Sequence, residues 1–244
     1  MLYNFLYDIN TKLATLYGAL SDVNSSLSNL WFALSVIVCI VVPYLLGSLN
    51  FGVILSSRLY KDDVRRHGSG NAGTTNMLRN YGKKAGVLTL LGDMLKMAAA
   101  CVIGAFVGPH YYGLYIAGLF CIMGHMFPIF FKFKGGKGIA CLAMMVLMTD
   151  IKAFLFLIFA FIVIVAGTRY VSLGSVVCAM MYPVILNRVN PEVPFGWLIA
   201  TVIAAFVVFM HRENIKRLWN GNENKLSFGK KKKPEETENI EKTE

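Results

Sequence analysis

Acidic residues are scarce in this chain: 14 Asp and Glu stand against 24 Lys and Arg, a net charge of +10 over 244 residues. Charge of either sign is itself sparse, at 16%. The five cysteines (Cys39, Cys101, Cys121, Cys141, Cys178) all fall in apolar runs without CxxC or metal spacing. That pattern implies no disulfide framework and reads as small core hydrophobes. No cluster of His, Cys or carboxylates has usable ligand spacing, so no metal or cofactor is expected. Residues 1–29 lack a basic region leading into a short apolar stretch and a cleavage site, which argues against a signal peptide. No internal repeat supports an inverted-repeat transporter.

Apolar residues are abundant: 56% of the chain, with a mean hydropathy of +0.55. Soluble domains rarely reach that value, because their surfaces need polar residues. A sparse, strongly basic charge fits either a nucleic-acid binder or a membrane protein with basic loops. Long apolar runs decide for the membrane and against nucleic acid. They cover roughly 30–57, 85–107, 112–131, 138–149, 153–168, 170–186 and 195–211. The stretches 138–149 and 153–168 are short, and Asp150 and Lys152 between them are expensive in hydrocarbon. Two spans joined at Thr149–Lys152 therefore fit better than one.

Seven spans with an outside N-terminus place 58–84, 132–137, Arg169 and 212–244 inside. Those segments hold 20 of the 24 Lys and Arg, as the positive-inside rule expects. The expected fold is an all-α integral membrane protein of about seven transmembrane helices, N-terminus outside and C-terminus cytoplasmic. The expected organisation is an N-terminal extension over 1–29, a membrane unit over 30–217, and a polar, disordered tail over 218–244.

Four polar constellations gather on the predicted cytoplasmic face. The first runs from Gly47-Ser48-Leu49-Asn50-Phe51-Gly52 through Arg58 to Arg65-Arg66-His67-Gly68-Ser69-Gly70-Asn71-Ala72-Gly73-Thr74-Thr75-Asn76. Glycines permit N–H groups to converge on an anion, and arginines add charge-assisted donors. The second, Lys132-Phe133-Lys134-Gly135-Gly136-Lys137-Gly138, leads into an apolar segment and resembles an anion cradle at a helix start. It is not a Walker A motif, so no nucleotide is inferred. In the third, Arg169 to Ser175, Ser172 and Ser175 share a helical face, a pattern that by itself reads better as small-residue helix packing. In the fourth, His211-Arg212-Glu213-Asn214-Ile215-Lys216-Arg217, His211 and Asn214 share a face at the membrane boundary. Asp93 and Lys96, at i, i+3 inside the second span, read as an ion pair supporting the site. Anion-binding groups collected at one membrane face indicate a phosphorylated metabolite handled beside lipid.

These residues, together with Gly124-His125-Met126-Phe127-Pro128, resemble the bacterial membrane acyl-phosphate:glycerol-3-phosphate acyltransferases, the PlsY family. The motifs span residues 47–217 and are specific in combination. The resemblance implies a seven-span enzyme of the bacterial plasma membrane with its active site facing the cytoplasm. It implies acyl transfer from acyl phosphate to the 1-hydroxyl of glycerol 3-phosphate, giving lysophosphatidic acid and phosphate, the first step of phospholipid biosynthesis. By motif position it implies catalytic roles for Ser48, Arg58, Lys137, His211 and Asn214, with Lys134 close behind Lys137. Phosphate contacts are expected from Lys134, Gly135, Gly136, Gly138, Asn71, Asn76 and the Ser172/Ser175 pair. Family members often carry proline at the position of Asn50, so a looser turn is expected there.

An acyl phosphate is an activated mixed anhydride, so the enzyme needs to position two phosphates rather than supply a strong nucleophile. No His-x-x-x-x-Asp pair exists: five residues after His67, His110, His125 and His211 stand Ala72, Tyr115, Phe130 and Lys216. This disfavours acyl-thioester use through a His/Asp pair. The alternative from another class is a membrane transporter of phosphate or a phosphate ester. It predicts midplane charges in several spans, and only Asp93 and Lys96 qualify.

Overall fold

The computed structural model describes residues 25–108, 112–191, 193 and 196–226, with positions 12, 15 and 19 before them. The described residues form helices and turns without a strand. Helix α1 is Ser25–Ser48, α2 Phe51–Tyr60, α3 Thr74–Val107, α4 Tyr112–Met126 and α5 Ile139–Thr149. Helices α6 Ile151–Thr168, α7 Val171–Val189, α8 Gly196–Met210 and α9 Arg212–Trp219 complete the order. Five segments are long and apolar enough to cross a membrane: Ser28–Tyr60, Thr74–Val107, Tyr112–Phe131, Ile151–Thr168 and Val171–Val189. The pair α8 and α9, bent by 59°, makes a sixth. Helix α5 has eleven residues, about 16 Å of rise against a hydrocarbon core of about 30 Å.

The expected first span is broken. Leu49 and Asn50 interrupt it, and Asn50 is extended at φ −82° and ψ 105°. Its side chain accepts a hydrogen bond from Val53 N at 3.2 Å and so caps α2. The turn is therefore held rather than loosened, and its φ lies near the range proline imposes. The expected break between the two short stretches falls at Asp150, whose Oδ1 accepts from Ala153 N at 2.7 Å. The carboxylate is thus used as a helix cap instead of lying bare in hydrocarbon.

Helix α4 is central, packing on α1, α3, α5 and α8, while α7 packs on α6 and α8. Backbones touch where α1 meets α4. A Cβ at Gly47 would stand 2.1 Å from Cys121 O, and one at Gly124 2.1 Å from Tyr44 O. Close approach of this kind is how helices associate where lipid removes the hydrophobic drive. The core joins Met97, Ile122, Met145, Tyr182 and Ile203. Helix α6 is different: Leu155, Phe156, Phe159, Ile162 and Val163 are exposed along it, forming a lipid-facing surface.

Past the expected boundary at residue 217, helix α9 runs to Trp219, and Glu223 is buried against Ser172, Asn214 and Arg217. The folded unit therefore reaches at least Leu226, whose N–H donates to Arg169 O at 2.7 Å. Of the expected extension over 1–29, only positions 12, 15, 19 and 25–29 are described, and the tail beyond 226, with its Lys230–Lys233 run, lies outside the described residues.

Candidate active site

The glycine loop rests on a buried ionic hub. Lys96 Nζ lies 2.8 Å from Asp93 Oδ1 and 3.0 Å from His125 Nδ1. It also donates to Gly47 O and Leu49 O, both at 2.9 Å. One ammonium therefore satisfies carbonyls freed by the break after α1 and ties that break to α3 and α4. The ion pair expected from the sequence is present, with His125 as an added partner.

Above the hub, the loop is anchored by its own amides. Gly136 N donates to His125 O at 3.0 Å and Gly135 N to Met126 O at 3.2 Å. These two N–H groups thus hold the loop to the end of α4. A Cβ at Gly136 would stand 2.1 Å from His125 Nε2. Gly136→Ala is expected to cost about 1–3 kcal/mol, the usual range for overpacking. A thermal unfolding curve in detergent checks this, and an unchanged midpoint refutes it. Arg65 clamps the loop from outside, donating to Phe131 O at 2.9 Å and Lys134 O at 3.1 Å.

Between the loop and helices α5, α6 and α7 lies a cavity of about 460 Å³. One end is polar, with Asn71, Arg79, Lys137, Ser172, His211 and Asn214 in its lining. The other is apolar, with Leu142, Val146, Phe154, Leu157, Ile158 and Phe161. Lys137 Nζ donates to Asn214 Oδ1, which fixes the amide so that Asn214 Nδ2 donates to Glu223 Oε1 at 2.7 Å. Ser172 Oγ donates to the same oxygen at 2.9 Å, and Arg217 Nε to Oε2 at 2.8 Å. His211 Nδ1 is 2.8 Å from Val207 O. A carbonyl only accepts, so Nδ1 carries the proton and the neutral ring keeps its lone pair on Nε2.

The polar end is strongly cationic. Burial, with the Arg217 and Arg79 charges behind it and Glu223 opposing, pushes Lys137 down to about 8. Burial would raise Glu223, but hydrogen bonds from Asn214, Arg217 and Ser172 outweigh it and hold the carboxyl below its usual range. A carboxylate clasped by an amide, a hydroxyl and a guanidinium marks donors suited to an oxyanion.

The expected site residues divide. Lys137, Gly138, Asn71, Ser172, Ser175, His211 and Asn214 all line this cavity. Ser48 and Arg58 do not. Ser48 is fully buried, donating to Tyr44 O at 2.9 Å and accepting from Ile129 N at 3.3 Å. Arg58 and Lys134 are exposed. Asn76 is buried and donates to Val64 O and His67 O, at 3.0 and 2.9 Å, holding the preceding loop. Glu223 and Arg79 line the cavity without having been expected. Arg79 sits in a basic stretch and Glu223 in a polar tail, so neither carried a signal beyond its charge.

A helical membrane protein with one cavity that joins a cationic pole to an apolar pole is built to handle a phosphorylated amphiphile. Residues 37–221 match the family described as Glycerol-3-phosphate acyltransferase. A relative of that name from Clostridioides difficile (strain 630) is 40% identical over 204 residues, covering 81% of this chain and 98% of the relative. One from Carboxydothermus hydrogenoformans is 36% identical over 195 residues, covering 80% and 98%. A crystal structure of PlsY, an integral membrane glycerol 3-phosphate acyltransferase in its glycerol 3-phosphate form, superposes with a TM-score of 0.73. It is 36% identical and covers 79% of this chain and 96% of that one. Its lysophosphatidic acid form gives 0.70 over the same shares. This chain belongs to the glycerol-3-phosphate acyltransferase family, and within it resembles PlsY. It is a multi-pass membrane acyltransferase of phospholipid biosynthesis, and the transporter alternative is not favoured.

Proposed function

We propose that the donor is a long-chain acyl phosphate and that the reaction runs as direct transfer inside this cavity. The observation that carries the reading is the continuity of a cationic pole with an apolar pole in one cavity. The acyl chain lies among Val146, Phe154 and Leu157, and the phosphates lie near Lys137, Ser172, Ser175 and Asn214. Asn71 and the backbone at Gly138 complete the polar wall. Ser48, Arg58, Lys134, Gly135, Gly136 and Asn76 come within reach only if the loops around them shift when substrate binds.

The 1-hydroxyl oxygen of glycerol 3-phosphate attacks the acyl carbonyl carbon and forms the ester bond. The carbonyl carbon–oxygen bond to phosphate breaks, and inorganic phosphate leaves. The hydroxyl proton passes to a phosphate oxygen of the substrates, with His211 orienting through Nε2. Lys137 stabilises the charge that grows on the departing phosphate. On this route His211→Gln lowers kcat by less than about tenfold, because general-base catalysis by a side chain would be worth about 10²–10⁴. A drop of that larger size in purified enzyme moves the base to His211.

The proposed setting is a bacterial plasma membrane with seven spans, N-terminus outside, and the site and C-terminus cytoplasmic. Helix α5 would count as one short span. Twenty of the 24 Lys and Arg would then face the cytoplasm. Purified protein in vesicles, given palmitoyl phosphate and glycerol 3-phosphate, is expected to release phosphate and form lysophosphatidic acid. Absence of release, with glycerol 3-phosphate uptake instead, would return the transporter reading.

A further inference from the structure

A second groove, of about 650 Å³, opens on the lipid-facing side of α6. Its floor is Phe161, Ile162, Val165 and Ala166, and its head is Arg169, Lys225 and Leu226. The four floor residues sit at i, i+1, i+4 and i+5, which places them on one helical face. Arg169 caps the C-terminus of α6 with φ 62°. Lys225 Nζ lies 5.7 Å from the Tyr170 ring centroid. Both cations are exposed, and among the described residues neither forms an ion pair and no carboxylate lines the groove. A lipid-facing helix is ordinarily convex and apolar, with its cations scattered. Here a concave apolar strip ends in two cations at one interface.

The groove and the catalytic cavity are neighbours. Phe161 lines both. The segment after α9 divides between them: Glu223 and Asn224 face the cavity, while Lys225 and Leu226 face the groove. Phe161 and the backbone between Asn224 and Lys225 thus stand between the two spaces. The ring stands over Gly174 of α7, where an added Cβ would lie 3.0 Å from Phe161 Cδ2. The segment is pinned by Leu226 N to Arg169 O and by Arg79 to Asn224 O at 3.4 Å.

We propose that this groove is a loading site for a single-chain anionic lipid, the acyl phosphate donor, on its way from the bilayer into the cavity. The apolar strip takes the chain, Arg169 and Lys225 take the phosphate, and displacement of Phe161 admits the chain to the cavity. The two cations complement a phosphate headgroup, and the apolar floor complements an acyl chain. Glycerol 3-phosphate, lacking a chain, has no use for the groove and reaches the polar pole from water. The inference rests on the acyl-phosphate reading of the donor.

The test compares wild-type enzyme with Ala166→Trp, which fills the floor, and with the double variant Arg169→Gln/Lys225→Gln, which removes the head charges. Each is reconstituted in vesicles and assayed for phosphate release across a range of palmitoyl phosphate surface densities. KM for palmitoyl phosphate is expected to rise about tenfold in the double variant, each basic residue near an anionic lipid head being worth several-fold, and to rise as well in Ala166→Trp, whose ring displaces the chain from the floor. The kcat at saturation and KM for glycerol 3-phosphate are expected to stay at the wild-type value. Unchanged KM for palmitoyl phosphate in both variants, beside normal wild-type turnover, overturns the groove alone. A matching fall in kcat or a rise in KM for glycerol 3-phosphate also overturns it, by placing these residues' effect in the cavity. Wild-type enzyme that releases no phosphate from palmitoyl phosphate refutes the donor assignment, and this occupant with it.

Discussion

Lys137→Met is expected to lower kcat/KM by about 10³-fold, the loss typical of removing one donor aimed at a developing oxyanion. The lysine lies at the polar pole and donates to Asn214 Oδ1. It also carries a pH signature. Burial pushes its folded value down to about 8, so it is a cation below that pH and neutral above it. Stabilisation of a departing phosphate requires the cation. The kcat/KM of wild-type enzyme, which reports the free enzyme, is therefore expected to fall as pH rises through about 8. Lys137→Arg stays charged and should lose that limb while keeping part of the activity, since a planar guanidinium replaces a compact ammonium. A basic limb that persists unchanged in the arginine variant assigns it to another group.

The second large effect concerns stability. Lys96→Met removes the one ammonium shared by Asp93, His125, Gly47 O and Leu49 O. Both side chains of the pair are almost wholly buried, at 2% and 1% exposure. Breaking such a pair from one side leaves a buried charge uncompensated and costs about 3–5 kcal/mol. Two backbone carbonyls at the break after α1 lose their donor as well. Lys96→Met is expected to unfold at much lower temperature in detergent, or to be recovered only in small yield. Asp93→Asn combined with Lys96→Met should regain part of the loss, because the orphaned carboxylate is gone. A double variant no more stable than Lys96→Met would mean that the carbonyl contacts, and not the ion pair, dominate.

Much of this architecture was legible beforehand. The apolar runs located the long helices, because a span must satisfy every backbone group within itself and must present hydrocarbon to lipid. The charged step at Asp150 was visible for the same reason. Lys137, His211, Asn214 and the Ser172/Ser175 pair were singled out by their place in motifs that resemble a family, the serine pair by itself reading as small-residue helix packing. Asp93 and Lys96 were readable as a pair from their i, i+3 spacing. The capped break at Asn50 was harder, because hydropathy runs on across Leu49 and Phe51.

Glu223 marks where that legibility stopped. In sequence it belongs to a polar tail, and its burial depends on α9 turning by 59° from α8 and on the chain then folding back over α7. Ser48 and Arg58 show the opposite case: both belong to a motif, yet one is buried against Tyr44 and the other is exposed outside the cavity. The order of the apolar helices, and the cationic composition of the loops between them, follow from local physics that each segment carries alone. Which cations meet at one pole, and that Glu223 joins them while Phe161 separates two cavities, depend on contacts between residues far apart in the chain. Only the packing of α5, α6 and α7 against the glycine loop decides those contacts.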